Sequence, residues 1–285
     1  MAKGDGYGDG ELVFLARKHL KEDRSKPALG PNDWLRVSGL SFLCAREEIL
    51  CARYDLPRKD EISADLSVIF EHGHSLHWGL QNRILPRMGV LLGMWRCACC
   101  GYVHGGREGA WEYGTFTAQE FASRQVMRPE RCSKCKTPLS DENCLFIEQT
   151  FTHEGHKLSG HSDGFLKIPG LDGLGILEAK SINPKGASEM RMCPKLDHVI
   201  QAHCYMWLTG LRWAKILYWD KAGGGLRSFV EHTIEYDEGT VEQVEGLLRT
   251  IREGLSSKEL PDRICEVRTC VRAKACGAAD YCFRG

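Results

Sequence analysis

Two short stretches decide the fold: Gly160-His161-Ser162-Asp163 and Glu178-Ala179-Lys180. Each belongs to an apolar run that predicts a strand, and a loop rich in glycine and proline predicts a turn between the two runs. Glu178 and Lys180 are two residues apart, so on a strand they project from the same face. Asp163 lies on the predicted antiparallel neighbour, from which its carboxylate can converge with that of Glu178.

Two carboxylates and one ammonium group suit metal-assisted attack on a phosphodiester. Hard cations such as Mg²⁺ prefer carboxylate oxygens, and a bound cation stabilises both the attacking and the leaving oxygen of an in-line displacement. Lys180 can hold the nucleophilic water and neutralise developing charge. Taken alone, these residues favour the solvated face of a surface strand, since Glu-x-Lys pairs occur there by chance.

Helical and strand patterns alternate around these stretches. Strands are predicted at 145–151, 160–168, 175–181, 213–219 and 228–234, and helices at 41–54, 64–85, 195–211 and 240–255. Pro86 is expected to end the second helix, and Thr240 with Gln243 is expected to open the last one as a capping box.

Two helical motifs flank the strands. Gly73-His74-Ser75-Leu76-His77 lies on an upstream helix, and Gln201-Ala202-His203-Cys204-Tyr205 lies on a downstream one. Gln201 and Tyr205 are at i and i+4, so they share one helical face. His77 by itself favours a surface or core-capping histidine. The four motifs in this order are far more specific than any one of them.

Together the four motifs resemble the PD-(D/E)xK nuclease superfamily and, within it, the RecB-like exonucleases, which include CRISPR-associated RecB-like nucleases and the AddB nuclease domain. The resemblance covers roughly residues 38–94 and 145–285. It implies an α/β fold in which a mixed central sheet, flanked by helices, surrounds one metal site. It also implies a metal-dependent deoxyribonuclease of the exonuclease type.

The resemblance also implies a role for each matching residue. His77, Asp163 and Glu178 would be the ligands of Mg²⁺ or Mn²⁺, and Lys180 would be the catalytic lysine. Gln201 and Tyr205 would contact the DNA strand. A base stacked on Tyr205 would be read without regard to sequence, as a general exonuclease requires.

The fourteen cysteines are the most unusual feature of the composition. Cys97-x-x-Cys100 and Cys132-x-x-Cys135 have the paired spacing of a zinc ribbon, in which each pair points two thiolates at one tetrahedral ion. The zinc would replace the core that a short insertion cannot build. Cys99 is interpreted as a bystander, and a contact of this module with DNA or a protein partner stays open.

The C-terminal segment carries four more cysteines, Cys265, Cys270, Cys276 and Cys282. They are compatible with a second zinc site. The resemblance instead implies a [4Fe-4S] cluster that takes one cysteine from an early helix and three from the tail, with the preferred set Cys44, Cys270, Cys276 and Cys282. Cys51 and Cys265 are the possible substitutes. The remaining Cys144, Cys193 and Cys204 are predicted to be buried apolar residues.

The overall composition is that of a folded protein without a global charge bias. The 38 basic and 38 acidic residues cancel, which excludes a uniformly basic nucleic-acid coat. A start interrupted by glycines does not resemble a secretory signal, and no apolar run approaches the length of a membrane span. A soluble cytoplasmic protein with no membrane partner is therefore expected.

These patterns predict four parts of the chain. Residues 1–37 form an N-terminal segment, 38–94 and 145–262 the nuclease core, 95–144 a zinc-ribbon insertion, and 263–285 a cysteine-rich tail that closes onto the Cys44 helix. The predicted activity is exonucleolytic cleavage of single-stranded or frayed DNA ends in recombination, repair or foreign-DNA processing. No nucleoside-triphosphate-binding loop is recognised, so the protein is expected to work alone or beside a separate helicase or recombination protein. The alternative is a non-cleaving protein that binds DNA ends or a partner on a nuclease-derived scaffold.

Overall fold

The helices and strands below come from a computed structural model that describes residues 11–58, 61–257 and 259–284. The helices are α1 (Glu11–His19), α2 (Ala45–Tyr54), α3 (Ala64–Gly79), α4 (Leu85–Arg87), α5 (Ala118–Ser123), α6 (Pro184–Met190), α7 (Leu196–Thr209), α8 (Glu238–Ser257), α9 (Val271–Ala275) and α10 (Ala279–Cys282). A 3₁₀ turn occupies Val37–Phe42, and a π-helical turn at Leu80–Ile84 joins α3 to α4.

The strands are β1 (Glu22–Asp23), β2 (Leu35–Arg36), β3 (Glu61–Ile62), β4 (Leu91–Leu92), β5 (Met94–Cys97), β6 (Val103–His104), β7 (Trp111–Glu112), β8 (Cys144–Ile147), β9 (Gln149–His153), β10 (Leu158–Ser162), β11 (Gly164–Leu166), β12 (Gly175–Ile182), β13 (Trp213–Asp220) and β14 (Phe229–Glu235). None of the described helices combines the length and the apolar character needed to cross a bilayer.

The central sheet is mixed and has the order β14-β13-β12-β11-β4. Strands β12 and β13 run parallel, with Glu178 opposite Ile216, and the other pairs are antiparallel. Because side chains alternate along β12, Ile176 packs into one apolar core with α7 and α8, whereas Leu177 packs into another with the π-helical turn. The predicted α/β fold, a mixed sheet flanked by helices, is confirmed.

A second sheet, in the order β2-β10-β9-β7, continues into the central one at Asp163. Strand β10 belongs to the second sheet and β11 to the central sheet, and Asp163 is the single residue between them. Gly164 has φ +148°, and a Cβ there would lie 2.6 Å from Leu91 Cδ1. Glycine at this position therefore permits the change of sheet directly after Asp163.

Residues between 95 and 144 contribute to the main core as well as to their own sheet, which has the order β6-β5-β8. Trp111 pairs with Phe151 across β7 and β9, and its indole packs against Phe121 in an edge-to-face contact. Both aromatic side chains are completely buried. The domain boundaries at 95 and 144 stay a prediction.

Two local predictions about helix ends are wrong. The helical run passes Pro86 and ends at Arg87, and the carbonyl of Asn82, which would accept from an N–H group at position 86, accepts from Arg128 instead. The helix predicted at 240–255 is α8, which begins at Glu238. Asp237 rather than Thr240 caps it, since the Asp237 carboxylate accepts a hydrogen bond from Thr240 N at 2.7 Å.

The C-terminal tail packs onto α2. Tyr281 stacks on Tyr54 with ring centroids 4.2 Å apart. Gly277 N donates to Glu47 Oε1 at 2.8 Å, and Arg46 donates to the carbonyl of Pro261 at 2.7 Å. These contacts bring residues more than 200 positions apart in sequence to the same end of the molecule.

Candidate active site

Asp163 is hydrogen-bonded directly to the strand that carries Glu178. Ala179 N donates a 2.7 Å hydrogen bond to Asp163 Oδ2, so the carboxylate at the junction of the two sheets is fixed against β12. On the same strand, Glu178 and Lys180 project from one face and form an ion pair. The strand geometry therefore brings together the two carboxylates and the ammonium group expected from the sequence.

His77 reaches this group from α3. Ser63 caps α3 by accepting a hydrogen bond from Leu66 N, and Gly73 leaves room for the helix to approach Ser181 on β12. His77 Nδ1 lies 3.4 Å from Asp163 Oδ1. The histidine predicted from the Gly-x-x-x-His motif is thus beside the predicted carboxylate.

Glu148, between β8 and β9, is a site residue that the sequence analysis missed. One ligand atom each from His77, Glu148 and Asp163 lies within 4.8 Å of the others. Gln81 Nε2 donates to Glu148 Oε1 at 2.9 Å and to the backbone oxygen of Asp163 at 3.0 Å. No motif includes Glu148, which lies within the apolar strand predicted at 145–151. Only the packing of that segment beside His77 of α3 shows that Glu148 belongs to the site.

Glu178 is a buried carboxylate with little compensation. The residue is 1% exposed, and neither of its carboxylate oxygens accepts a hydrogen bond of good geometry. Burial raises its pKa to about 7, against the opposing effect of the positive charge on Lys180. A buried anion in this condition is well suited to a cation that completes its shell.

The neighbouring charges respond to the same environment. Burial alone would raise the pKa of Asp163, but the hydrogen bond and charge of His77, with further help from Lys180, hold it below its usual value. Burial alone would lower the pKa of Lys180, yet Glu178 and then Asp163 outweigh it and raise the pKa. For His77, too, the interaction with Asp163 outweighs burial and raises the pKa.

These residues fit a divalent cation. In octahedral coordination at about 2.1 Å, opposite ligands of Mg²⁺ are about 4.2 Å apart, so atoms grouped within 4.8 Å match a single ion. Carboxylate oxygens with one imidazole suit Mg²⁺ or Mn²⁺. His77, Glu148 and Asp163 would be ligands, and the carboxylate of Glu178, paired with Lys180, lies on the adjoining strand.

Gln201 and Tyr205 lie on the α7 face that packs against the two sheets, and both are buried. The hydroxyl of Tyr205 donates a 2.5 Å hydrogen bond to the carbonyl of His161, two residues before Asp163. At 2% exposure, the ring of Tyr205 has no free face on which a base could stack, so the structure contradicts that detail of the expectation. A contact of Gln201 with DNA stays a prediction.

The four cysteines of the paired motifs form a compact group. Their Sγ atoms all lie within 4.8 Å of one another, with 3.7 Å between Cys97 and Cys135 and 3.6 Å between Cys100 and Cys132. Tetrahedral zinc at about 2.3 Å from each sulfur separates its ligands by about 3.8 Å, so the group fits one zinc ion. Hydrogen bonding with Thr137 lowers the pKa of Cys135 to about 6, which favours the thiolate.

The cysteines near the chain ends form a looser group. Cys44, at the N-terminus of α2, shares a pocket with Cys265, Cys276 and Cys282. Cys270 caps α9, accepting a hydrogen bond from Ala273 N. No three of these thiols, all of them in the described part of the chain, lie within 4.8 Å of one another.

The remaining cysteines divide into two environments. Cys144 and Cys204 are buried, as expected, and Cys99 is exposed and outside the zinc group. Cys193 is exposed, so its prediction as a buried apolar residue is wrong. It lies in the short connection between α6 and α7, beyond the apolar faces of both helices.

The chain was compared with known proteins. No protein-family model and no curated protein matches it. Among solved structures, it is similar to the alkaline exonuclease LHK-Exo of Laribacter hongkongensis, with 14% identity, coverage of 79% of this chain and 89% of that chain, and a TM-score of 0.44. LHK-Exo in complex with dAMP matches at 12% identity, 80% and 90% coverage and a TM-score of 0.46. SSO0001 matches at 14% identity, 97% and 98% coverage and a TM-score of 0.37. At these values, the likenesses carry no argument about the activity of this chain.

Proposed function

We propose that the protein is a metal-dependent DNA exonuclease. The observation that carries this proposal is the buried Glu178 carboxylate, which is paired with Lys180 and lies on the strand hydrogen-bonded to Asp163. Burial raises the pKa of Glu178 in spite of that partner, so a bound cation would add the stabilisation of the anion that Lys180 leaves incomplete. The four sequence motifs, which resemble those of RecB-like exonucleases, indicate DNA as the substrate.

Each charged residue has a distinct part in this proposal. Asp163, Glu178 and His77, with Glu148, would hold Mg²⁺ or Mn²⁺, which stabilises the charge of an in-line displacement when bound. Lys180 lies beside Glu178 and keeps its proton, so it can hold the attacking water by a hydrogen bond and oppose negative charge on the phosphate. Asp163 is kept ionised by His77 and Lys180 and is ready to accept a cation.

The depth of the site supports a strand end or an unpaired strand as substrate. The side chains of His77 and Lys180 are 27% and 24% exposed, whereas that of Glu178 is 1% exposed. Glu148 is exposed, so a phosphate would reach the cation from the side of His77, Glu148 and Lys180, above the buried Glu178. A thin, flexible single strand or frayed end fits this approach better than the interior of a duplex does.

The cysteine groups complete the proposal. Cys97, Cys100, Cys132 and Cys135 would hold structural Zn²⁺. A [4Fe-4S] cluster would lie between α2 and the tail, because a cluster needs its four thiols further apart than a single ion does. Cys44, Cys276 and Cys282 share one pocket, and either Cys270 or Cys265 would be the fourth ligand. In a cytoplasmic setting, a separate helicase or recombination protein would supply unwound DNA.

Cleavage of end-labelled DNA tests the function directly. The full-length protein is incubated with 5′- or 3′-labelled single-stranded and duplex DNA in Mg²⁺ or Mn²⁺. Asp163→Asn should lose about 10³-fold or more in rate, since a positioned cation supplies several kcal/mol. Asp172→Asn, at an exposed aspartate, is the matched control and should cleave as the wild type does. If the wild type binds DNA and leaves it intact, the non-cleaving alternative is correct.

A further inference from the structure

Gln81 is a buried polar residue in an unusual stretch of helix. It lies four residues after His77, in the π-helical turn that joins α3 to α4. Isolated π-helical turns are rare and often occur at functional sites. Here Leu80, Gln81 and Asn82 are all buried, so the turn directs two adjacent polar side chains into the protein.

The amide of Gln81 bonds two parts of the candidate cation site at once. Its Nε2 atom donates to Glu148 Oε1 at 2.9 Å and to the carbonyl of Asp163 at 3.0 Å. Neither bond involves the carboxylate of Asp163, whose oxygens contact Ala179 N and His77. Gln81 therefore orients Glu148 relative to Asp163 without occupying the ligand positions of Asp163.

Asn82 fixes the strand that leads to Glu148. Its Oδ1 atom accepts a 2.8 Å hydrogen bond from Phe146 N on β8, two residues before Glu148. Its carbonyl accepts a bond from Arg128, which also pairs with Asp141. Asn82 therefore hydrogen-bonds the π-helical turn both to β8 and to Arg128.

The four-cysteine group, Cys97, Cys100, Cys132 and Cys135, lies at the other end of β8. β8 begins at Cys144, which pairs with the zinc-group residue Cys97 on β5, and it ends at Ile147, directly before Glu148. Strand β5 thus connects the cysteine group to the strand that presents Glu148. A shift of β8 by one residue would point Glu148 to the opposite face.

We propose that Gln81 is a positioning residue that fixes Glu148 as an additional ligand of the divalent cation, and that the four-cysteine group holds β8 in the register this contact needs. This inference rests on the proposed function only in requiring a divalent cation at the site. Residues that hydrogen-bond a metal ligand typically contribute 10–100-fold to metal affinity. Gln81 is expected to act in this way through Glu148.

Binding of Mn²⁺ to the zinc-loaded, full-length protein, followed by electron paramagnetic resonance, tests the proposal without any cleavage. Gln81→Met keeps the size of the side chain and removes its donor, so the Kd for Mn²⁺ should rise about tenfold. Gln243→Met, at an exposed glutamine of α8, is the matched control and should leave the Kd unchanged. Cys135→Ser, which removes one zinc ligand, should also raise the Kd for Mn²⁺.

A double variant shows whether Gln81 acts through Glu148. Glu148→Gln should weaken Mn²⁺ binding, and adding Gln81→Met should weaken it no further, because the two residues share one interaction. Gln81→Asn, which shortens the side chain, replaces Gln81→Met if the latter unfolds. Wild-type Mn²⁺ affinity in the folded Gln81 variant, or additive losses in the double variant, would overturn the inference. A wild type that binds Mn²⁺ tightly and leaves DNA intact would contradict only the proposed function.

Discussion

The two candidate metal sites are built in opposite ways. The cysteine site takes its four ligands from two short turns, and its thiols already have the spacing of a single zinc ion. The acidic site takes each ligand from a different element, namely α3, the connection between β8 and β9, the junction of two sheets, and β12. The first is a closed group of soft ligands, and the second contains a buried carboxylate whose pKa stays raised although it is paired with Lys180.

This difference indicates which site would stabilise the fold and which is suited to catalysis. A closed tetrahedral site contributes its binding free energy to folding. A buried, poorly paired charge costs free energy, and proteins retain such groups where function requires them. Replacing a ligand of the cysteine site should therefore destabilise the folded protein. Replacing Glu178 in the acidic site should stabilise it.

The largest effect on stability is expected at the cysteine site. Cys132→Ser should lose the zinc ion and roughly 4 kcal/mol or more of unfolding free energy, because a structural metal is among the few features whose loss costs that much. Zinc and iron analysis with urea unfolding measures both effects. Cys99→Ser is the matched control, since Cys99 is exposed and outside the group.

The same metal analysis separates the two cysteine regions. Anaerobically purified wild type should contain one zinc ion and one iron–sulfur cluster, with visible absorbance. Cys132→Ser should lose only zinc, and Cys276→Ser only iron. A colourless wild type with two zinc ions and no iron would show that the chain-end cysteines form a second zinc site.

Replacing Glu178 in the acidic site should change the stability of the protein in the opposite direction. The folded-state pKa of Glu178 is about 7, above the usual 4.5, so its protonated form is favoured by folding. The stability that this preference gives is complete below pH 4.5 and is lost as the pH rises to 7. In buffer without added Mg²⁺ or Mn²⁺, Glu178→Gln should be on the order of 3 kcal/mol more stable than wild type at pH 8.

Urea unfolding at pH 5 and pH 8 measures this effect. The difference between Glu178→Gln and wild type should fall to roughly 1 kcal/mol or less at pH 5, where the wild-type carboxyl is already protonated in the folded state. Glu231→Gln, at an exposed glutamate of β14, provides the control and should show no comparable pH dependence. A Glu178→Gln protein that is less stable than wild type at pH 8 would refute the interpretation that pairing with Lys180 does not offset the burial of the Glu178 anion.

The smallest effect concerns cation affinity. Binding of Mn²⁺ must displace the proton of Glu178, so raising the pH from 6 to 7 should tighten binding by up to about tenfold, with a smaller gain above pH 7. Protonated His77, whose pKa is also raised, adds to this slope. Titrations of Mn²⁺ at several pH values test this, and Glu178→Gln should flatten the curve. A wild-type affinity independent of pH would contradict it.

Individual residues show where reasoning from the sequence succeeds. Glu178 and Lys180 share a face because strand periodicity requires it, and the paired cysteines converge because each Cys-x-x-Cys forms one tight turn. Pro86 and Thr240 were misassigned because their effects depend on where a helix ends or begins, which periodicity locates only to within a few residues. Cys193 was misassigned because cysteine composition does not report exposure.

By itself, the sequence determined the strand and helix pattern, the adjacency of Glu178 and Lys180, and the zinc-type pairing of cysteines, since all of these depend on neighbours in the chain. Only the tertiary structure decided that Glu148 and Gln81 join His77 and Asp163. Those contacts span 67 and 82 positions, and no local pattern encodes which elements meet across such distances. The burial that raises the pKa of Glu178 is likewise a property of the packed sheets and helices, not of the residues next to it.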